Sequence, residues 1–185
     1  MPLSSAEGKS WIRDRVHAAG ADTPVDVLDI GPGVGTYAKL LAGPQVSRLT
    51  CIEIFEPYVH TYRLAQYYDE VIVGDARTTP FPDADIVILG DVAEHMTEPE
   101  AVALWDKACA AARVAVYLSI PIVNYPQGHI EGNSHEEHVV DDWNHDRVLA
   151  AFNGIGDSWT GTEVGVYEHR SDAPARKLSA DRAGA

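Results

Sequence analysis

Val27-Leu28-Asp29-Ile30-Gly31-Pro32-Gly33-Val34-Gly35-Thr36-Tyr37 decides how the rest of the chain reads. Val27 to Ile30 form an apolar run of strand length, and glycines at three alternate positions follow before a helical pattern begins. Glycines there permit backbone angles and a close ligand approach that side chains would block, so the stretch predicts a nucleotide-type binding loop. A dinucleotide fingerprint, G-x-G-x-x-G, would need glycine at position 36, where Thr36 stands, so pyrophosphate cradling fits poorly. Asp29 points the same way. A carboxylate beside the loop would repel a diphosphate and suits a ligand carrying ammonium and sulfonium charge.

Outward from the loop, the acidic residue at a strand end recurs. Leu49 to Ile54 read as a second buried strand with Glu53 near its end, about 20 residues past the glycines, where a carboxylate can accept hydrogen bonds from ribose hydroxyls. Glu56 competes for that role but lies beyond the apolar run, where helix capping suits it better. Val71 to Asp75 make a third strand, again acidic at its end, and Ala84 to Asp91 a fourth. Carboxylates at the carboxyl edge of a parallel sheet lie where doubly wound folds bind ligands.

These residues resemble those of the class I S-adenosylmethionine-dependent methyltransferases. The glycine stretch resembles their motif I, and Asp91-Val92-Ala93-Glu94-His95 resembles the D-V-x-E-H segment that follows strand four in many small-molecule members. The resemblance, best over residues 25 to 120, implies a Rossmann-like α/β fold. Its doubly wound, mostly parallel sheet would have seven strands in the order 3-2-1-4-5-7-6, with helices on both faces. It implies S-adenosylmethionine as cofactor, bound by Asp29, Gly31, Gly33, Gly35, Glu53, Asp75, Ala76 and Asp91. Asp75 would meet the adenine amino group and Ala76 would lend its backbone amide; either could instead cap the next turn. His95 is a candidate base for removing a hydroxyl proton, with packing or helix capping as the alternative. His138 is the second candidate base.

Around this centre, Ser4 or Ser5 can cap a first helix running to about Ala19, with Trp11, Ile12, Val16 and Ala19 on one apolar face. Trp11 is read as core, with a cofactor contact as the alternative. Helices are expected over 37–41, 57–68 and 99–112, a fifth strand over Arg113 to Ile120, and a helix through Phe152 with Asn144 as its cap. Ser158 to Arg170 alternate well enough for two short strands. Residues 1–170 are read as one domain, and 171–185 as a disordered tail.

Between strand five and the last helix, Pro121 to His138 form a long polar loop, of which Tyr125 to His138 are expected to form the acceptor-side wall, ordered by substrate and away from the adenosine. His129, His135, His138 and His145, with Glu131, Glu136, Glu137, Asp141 and Asp142, could ligate a metal, but their spacing is not diagnostic, so no metal site is expected.

The composition bounds the partners. A formal net charge of −14 disfavours nucleic acid, and neither an N-P-P-Y or D-P-P-Y motif nor a Pro-Cys nucleophile is present. No apolar run reaches membrane-spanning length and the first residues carry no targeting pattern, so the cytoplasm is the expected compartment. Cys51 and Cys109 suggest buried thiols, not a disulfide framework. The expected reaction is methyl transfer to a small hydroxylated or amino-bearing metabolite. The alternative is a non-catalytic, cofactor-binding regulator or assembly partner, and a second subunit could complete the site as a homodimer.

Overall fold

The computed structural model describes residues 5–171. Seven strands lie in the order β3-β2-β1-β4-β5-β7-β6, as the resemblance implied. They are β1 (Val25–Ile30), β2 (Val46–Glu53), β3 (Glu70–Val73), β4 (Ala84–Gly90), β5 (Ala112–Pro121), β6 (Asp157–Thr160) and β7 (Val164–Arg170). The first five pair in parallel, and β7 runs antiparallel to both β5 and β6. Expected strand ends differ from these by a few residues; Asp75 and Asp91 sit just past β3 and β4, not in them.

Alternation along the strands separates two cores. Leu28, Ile30, Val87, Leu89, Val116 and Leu118 face α4 (Glu98–Ala111) and α5 (His145–Ala151), with Leu104, Trp105 and Val148 packed on them. Val27, Ile86, Ile88, Ala115 and Tyr117 face the opposite layer, α1 (Lys9–Ala19) and α2 (Thr36–Leu41), which contributes Ile12, Val16, Tyr37 and Leu41. Strands buried on both faces explain the near-continuous apolar runs in the sequence. Among the described residues no helix is long and apolar enough to cross a membrane. Cys51 is buried in β2 and Cys109 half-buried in α4, both as free thiols.

Several local expectations are corrected. Serine does not cap α1: Gly8 holds that position at φ 73°, and Ser5 Oγ accepts from the Glu7 amide. The chain turns earlier because the Glu7 carboxylate reaches the β6–β7 connection, accepting from the amides of Thr162, Glu163 and Val164 at 2.8–3.2 Å. The helix expected over 57–68 is α3 (Glu56–Thr61), ended by Arg63 at φ 54° and followed by a 3-10 turn, Leu64–Gln66. The break sends Leu64 inward and lets the Tyr68 hydroxyl reach Asp29. Glu56 stands in the first turn of α3, and Trp11 packs edge-on against Tyr117, 6.2 Å between ring centroids, the core role. Asn144 caps α5 as expected, accepting from the Arg147 amide at 3.0 Å. The expected disordered tail falls, apart from Ser171, outside the described residues.

Candidate active site

The carboxyl ends of β1, β2, β3 and β4 open into one cavity of about 330 Å³. Its floor is the glycine turn, where Gly31, Gly33 and Gly35 all have positive φ (66°, 51° and 75°). At Gly31 a Cβ would lie 2.4 Å from Val92 Cγ1, so the close seam between this turn and the β4 outlet admits only glycine. Gly31 and Gly33 line the cavity, whereas Gly35 lies just behind it at the start of α2.

Six of the expected residues face this space besides the glycines: Glu53, Asp75, Ala76, Asp91, His95 and His138. Glu53 is 4% exposed. Burial pushes its carboxyl up to about 7, although the amides of Phe55, Gly33 and Ile54 favour the charged form. Its Oε1 accepts from the Phe55 amide at 2.8 Å. Asp75 accepts from the Arg77 amide and guanidinium, so it caps its own turn while lining the wall; these bonds to Arg77 hold it below the usual carboxylate range. Asp91, at φ 56°, is held from two sides, by Lys9 Nζ on Oδ2 (2.9 Å) and Ser119 Oγ on Oδ1 (2.6 Å).

Asp29 departs from expectation. It does not line the cavity but is fully buried behind the glycine turn, where the Tyr68 hydroxyl donates to Oδ2 and Oδ1 has no hydrogen-bond partner among the described residues. Burial pushes its carboxyl up to about 7, against the pull of Tyr68 and the more distant Lys9.

The loop after β5 covers the cavity, but along a different course from the one expected. Its return limb is pinned to the Ala93–His95 turn, where the Glu94 carbonyl accepts from the amides of Val139 (2.8 Å) and Val140 (3.1 Å). This brings His138 against His95, ring centroids 5.0 Å apart. Glu131 (φ 51°) and Gly132 (φ 80°) then reverse the chain, and Asn133 and Glu136 lie over the β2 side, near Tyr58 and Glu53. The loop thus walls both ends of the cavity; it is not confined to the acceptor side. Of its acidic pair, Glu136 lines the cavity while the Glu137 side chain turns outward to His129 at 3.2 Å.

His95 and His138 both donate through Nδ1 to backbone carbonyls, of Glu137 (3.1 Å) and Tyr125 (2.6 Å). A carbonyl only accepts, so Nδ1 carries the proton and Nε2 the lone pair. Burial holds both imidazoles below their ordinary range and favours the neutral ring. Sequence reasoning missed Lys9 and gave no role to Glu94. Glu94 is 2% exposed, its Oε2 lacks a partner among the described residues, and burial first, then Asp91, pushes its carboxyl well above the usual range.

The donor set suits a cation. Six acidic residues line the cavity, Glu53, Asp75, Asp91, Glu94, Glu136 and Glu163, against one arginine, Arg77, which is paired with Asp75 and Glu100. Asp75 is paired with Arg77 and Asp91 with Lys9, and burial disfavours charge on Glu53 and Glu94, so the wall is acidic without carrying six full charges. It still suits a ligand with sulfonium and ammonium charge better than a diphosphate.

Comparison with known proteins agrees with this geometry. Residues 28–109 match the family described as "Methyltransferase domain". Magnesium protoporphyrin IX methyltransferase (ChlM) from Synechocystis PCC 6803 with bound SAH is similar in structure, with TM-score 0.66, 18% identity, and coverage of 89% of this chain and 82% of that one. The N-terminal domain of EvdMO1 with SAH bound gives TM-score 0.62, 17% identity, and 90% and 82% coverage. N-methyltransferase NodS from Bradyrhizobium japonicum WM9 gives TM-score 0.60, 12% identity, and 91% and 99% coverage. At such identities the likeness is one of fold. No curated protein matches the sequence.

Proposed function

We propose, from the class I methyltransferase fold and the methyltransferase-domain membership of residues 28–109, that this protein transfers a methyl group from S-adenosylmethionine to a small hydroxylated or amino-bearing metabolite. The observation that carries the reading is the acid-lined cavity over the glycine turn, with Glu53 at the end of β2. When bound, the cofactor supplies a methyl already activated on a sulfonium.

The chain's own residues have three tasks. Gly31 and Gly33 offer backbone surface for close approach, Glu53 accepts ribose hydroxyls, and Asp75 with Ala76 borders the adenine. Asp91, clamped by Lys9 and Ser119, keeps the β4 outlet rigid beside the methionine end. His95 and His138, neutral and lining the other end, stand where an acceptor proton must leave. We read residues 1–170 as one domain acting in the cytoplasm.

Incubating the protein with isotopically methyl-labelled S-adenosylmethionine and a panel of small alcohols, phenols and amines, read by mass spectrometry, tests the reading. Labelled product is expected, and His138→Ala should lower turnover at least tenfold while changing cofactor affinity less than threefold, since the residue stands at the far end from Glu53. Cofactor binding with no labelled product from any acceptor class would overturn the enzyme reading in favour of a cofactor-binding regulator.

A further inference from the structure

We propose that Glu94, His95 and His138 form a divalent metal site at the acceptor end of the cavity, with a transition-metal ion such as zinc as its occupant and an acceptor oxygen as an additional ligand. The metal site rests on the residues alone. Its use in activating the acceptor rests on the methyl-transfer reading.

Each of the three side chains offers one ligand atom within 4.8 Å of the other two, a grouping found among the described residues. With bonds of about 2.0–2.2 Å, the donors of such a site stand roughly 3.3–3.6 Å apart, which small side-chain rotations reach. Two imidazoles and one carboxylate are a donor set that suits zinc and similar ions and leaves positions open for substrate. The histidines already have the form a metal needs. The Glu137 and Tyr125 carbonyls hold both Nδ1 protons, leaving Nε2 as donor, the outer hydrogen bond that orients metal-ligating histidines.

Glu94 supplies the independent observation. It is a glutamate 2% exposed whose Oε2 has no hydrogen-bond partner among the described residues, in a wall it shares with Asp91, Glu136 and the two histidines. A buried carboxylate oxygen without a partner is costly, and the Lys9 ammonium is already paired with Asp91. A cation between Glu94 and the two rings resolves that deficit. The scaffold supports the arrangement, because the Glu94 carbonyl anchors the loop through Val139 and Val140 and so sets His138 beside His95.

The chemistry then names the acceptor class. An alcohol or phenol oxygen bound to the metal loses its proton more readily, as metal-bound water does. With both Nε2 lone pairs on the metal that proton goes to solvent water, so in this site the two histidines act as ligands and not as bases. Its lone pair forms the oxygen–carbon bond as the carbon–sulfur bond breaks, and that bond's electron pair stays on sulfur. Acceptors with two adjacent oxygens, able to chelate the open positions, are favoured over amines.

Metal-stripped protein titrated with zinc chloride by calorimetry, and with cobalt chloride by visible absorption, tests the site without any cofactor. One ion per chain is expected, with affinity weakened tenfold or more in both His138→Ala and Glu94→Gln and unchanged in His129→Ala, an exposed histidine of the same loop. Stoichiometry near zero, or equal weakening in His129→Ala, would overturn the site. S-adenosylmethionine titrated into the same stripped protein separates the two readings: metal binding without cofactor binding defeats the proposed function alone, and the reverse defeats the metal site alone.

Discussion

Glu53→Ala should weaken S-adenosylmethionine binding by about 1–3 kcal/mol, roughly 5- to 150-fold, while the protein stays folded. The carboxylate ends β2 at the cavity wall, and the backbone around it, not its side chain, holds the sheet edge: Glu53 accepts the Gly74 amide through its own carbonyl. On the proposed reading, removing the side chain strands the ribose hydroxyls, and inside the protein it takes an acceptor from the Phe55 amide and a neighbouring charge from the amides of Gly33 and Ile54. The expected pH dependence follows from the raised carboxyl. Folded Glu53 changes charge near 7, and hydroxyl donors favour its ionised form, so affinity should rise as pH goes from 6 to 8. Asp29 titrates in the same range but lies behind the wall, so Glu53→Ala should retain at most a shallow slope. Calorimetry at three pH values measures both effects. Unchanged affinity in the variant would remove Glu53 from the ribose and turn attention to Glu136 above it.

Trp105→Ala should destabilise the fold by about 3–5 kcal/mol, a large part of the ~5–15 kcal/mol that holds a domain of this kind. Trp105 is fully buried between α4 and the sheet, edge-on to Phe152 at 5.7 Å between centroids, and its Nε1 donates to the Asn153 carbonyl at 2.9 Å. Truncation leaves a cavity and also breaks the tie between α4 and the end of α5. Urea unfolding followed by far-UV circular dichroism reads the loss, and Trp105→Phe should restore most of it by refilling the space. A change below 1 kcal/mol would mean that the α4 layer is held elsewhere.

What was legible in the sequence follows the range of the forces involved. Apolar runs of strand length, four of them with an acidic residue at or near the end, carried the parallel part of the sheet, because fully buried strands leave a pattern that depends on neighbours alone. The Asn144 cap was legible for the same reason. Long-range pairing left no such trace. Lys9 reads as a surface charge at a helix start until β4 places Asp91, 82 residues later, against it. The helix break at Arg63 depends on the burial of Leu64 and the reach of Tyr68 to Asp29, neither visible in local propensity. Asp29 itself was read as a ligand contact because it sits beside the glycines, yet strand alternation turns its side chain away from the cavity. The loop's course was hidden because two amides on one carbonyl, that of Glu94, set it. Glu94 stood in plain view beside His95, but its burial, and so its chemistry, required the fold.

The most direct test of the central claim is titration of the unmodified protein with S-adenosylmethionine, S-adenosylhomocysteine and NAD by calorimetry at pH 8. The acid-lined cavity and the glycine turn predict micromolar or tighter binding of the first two, one per chain, and no measurable heat from the dinucleotide. Binding of NAD more tightly than S-adenosylmethionine would contradict the account.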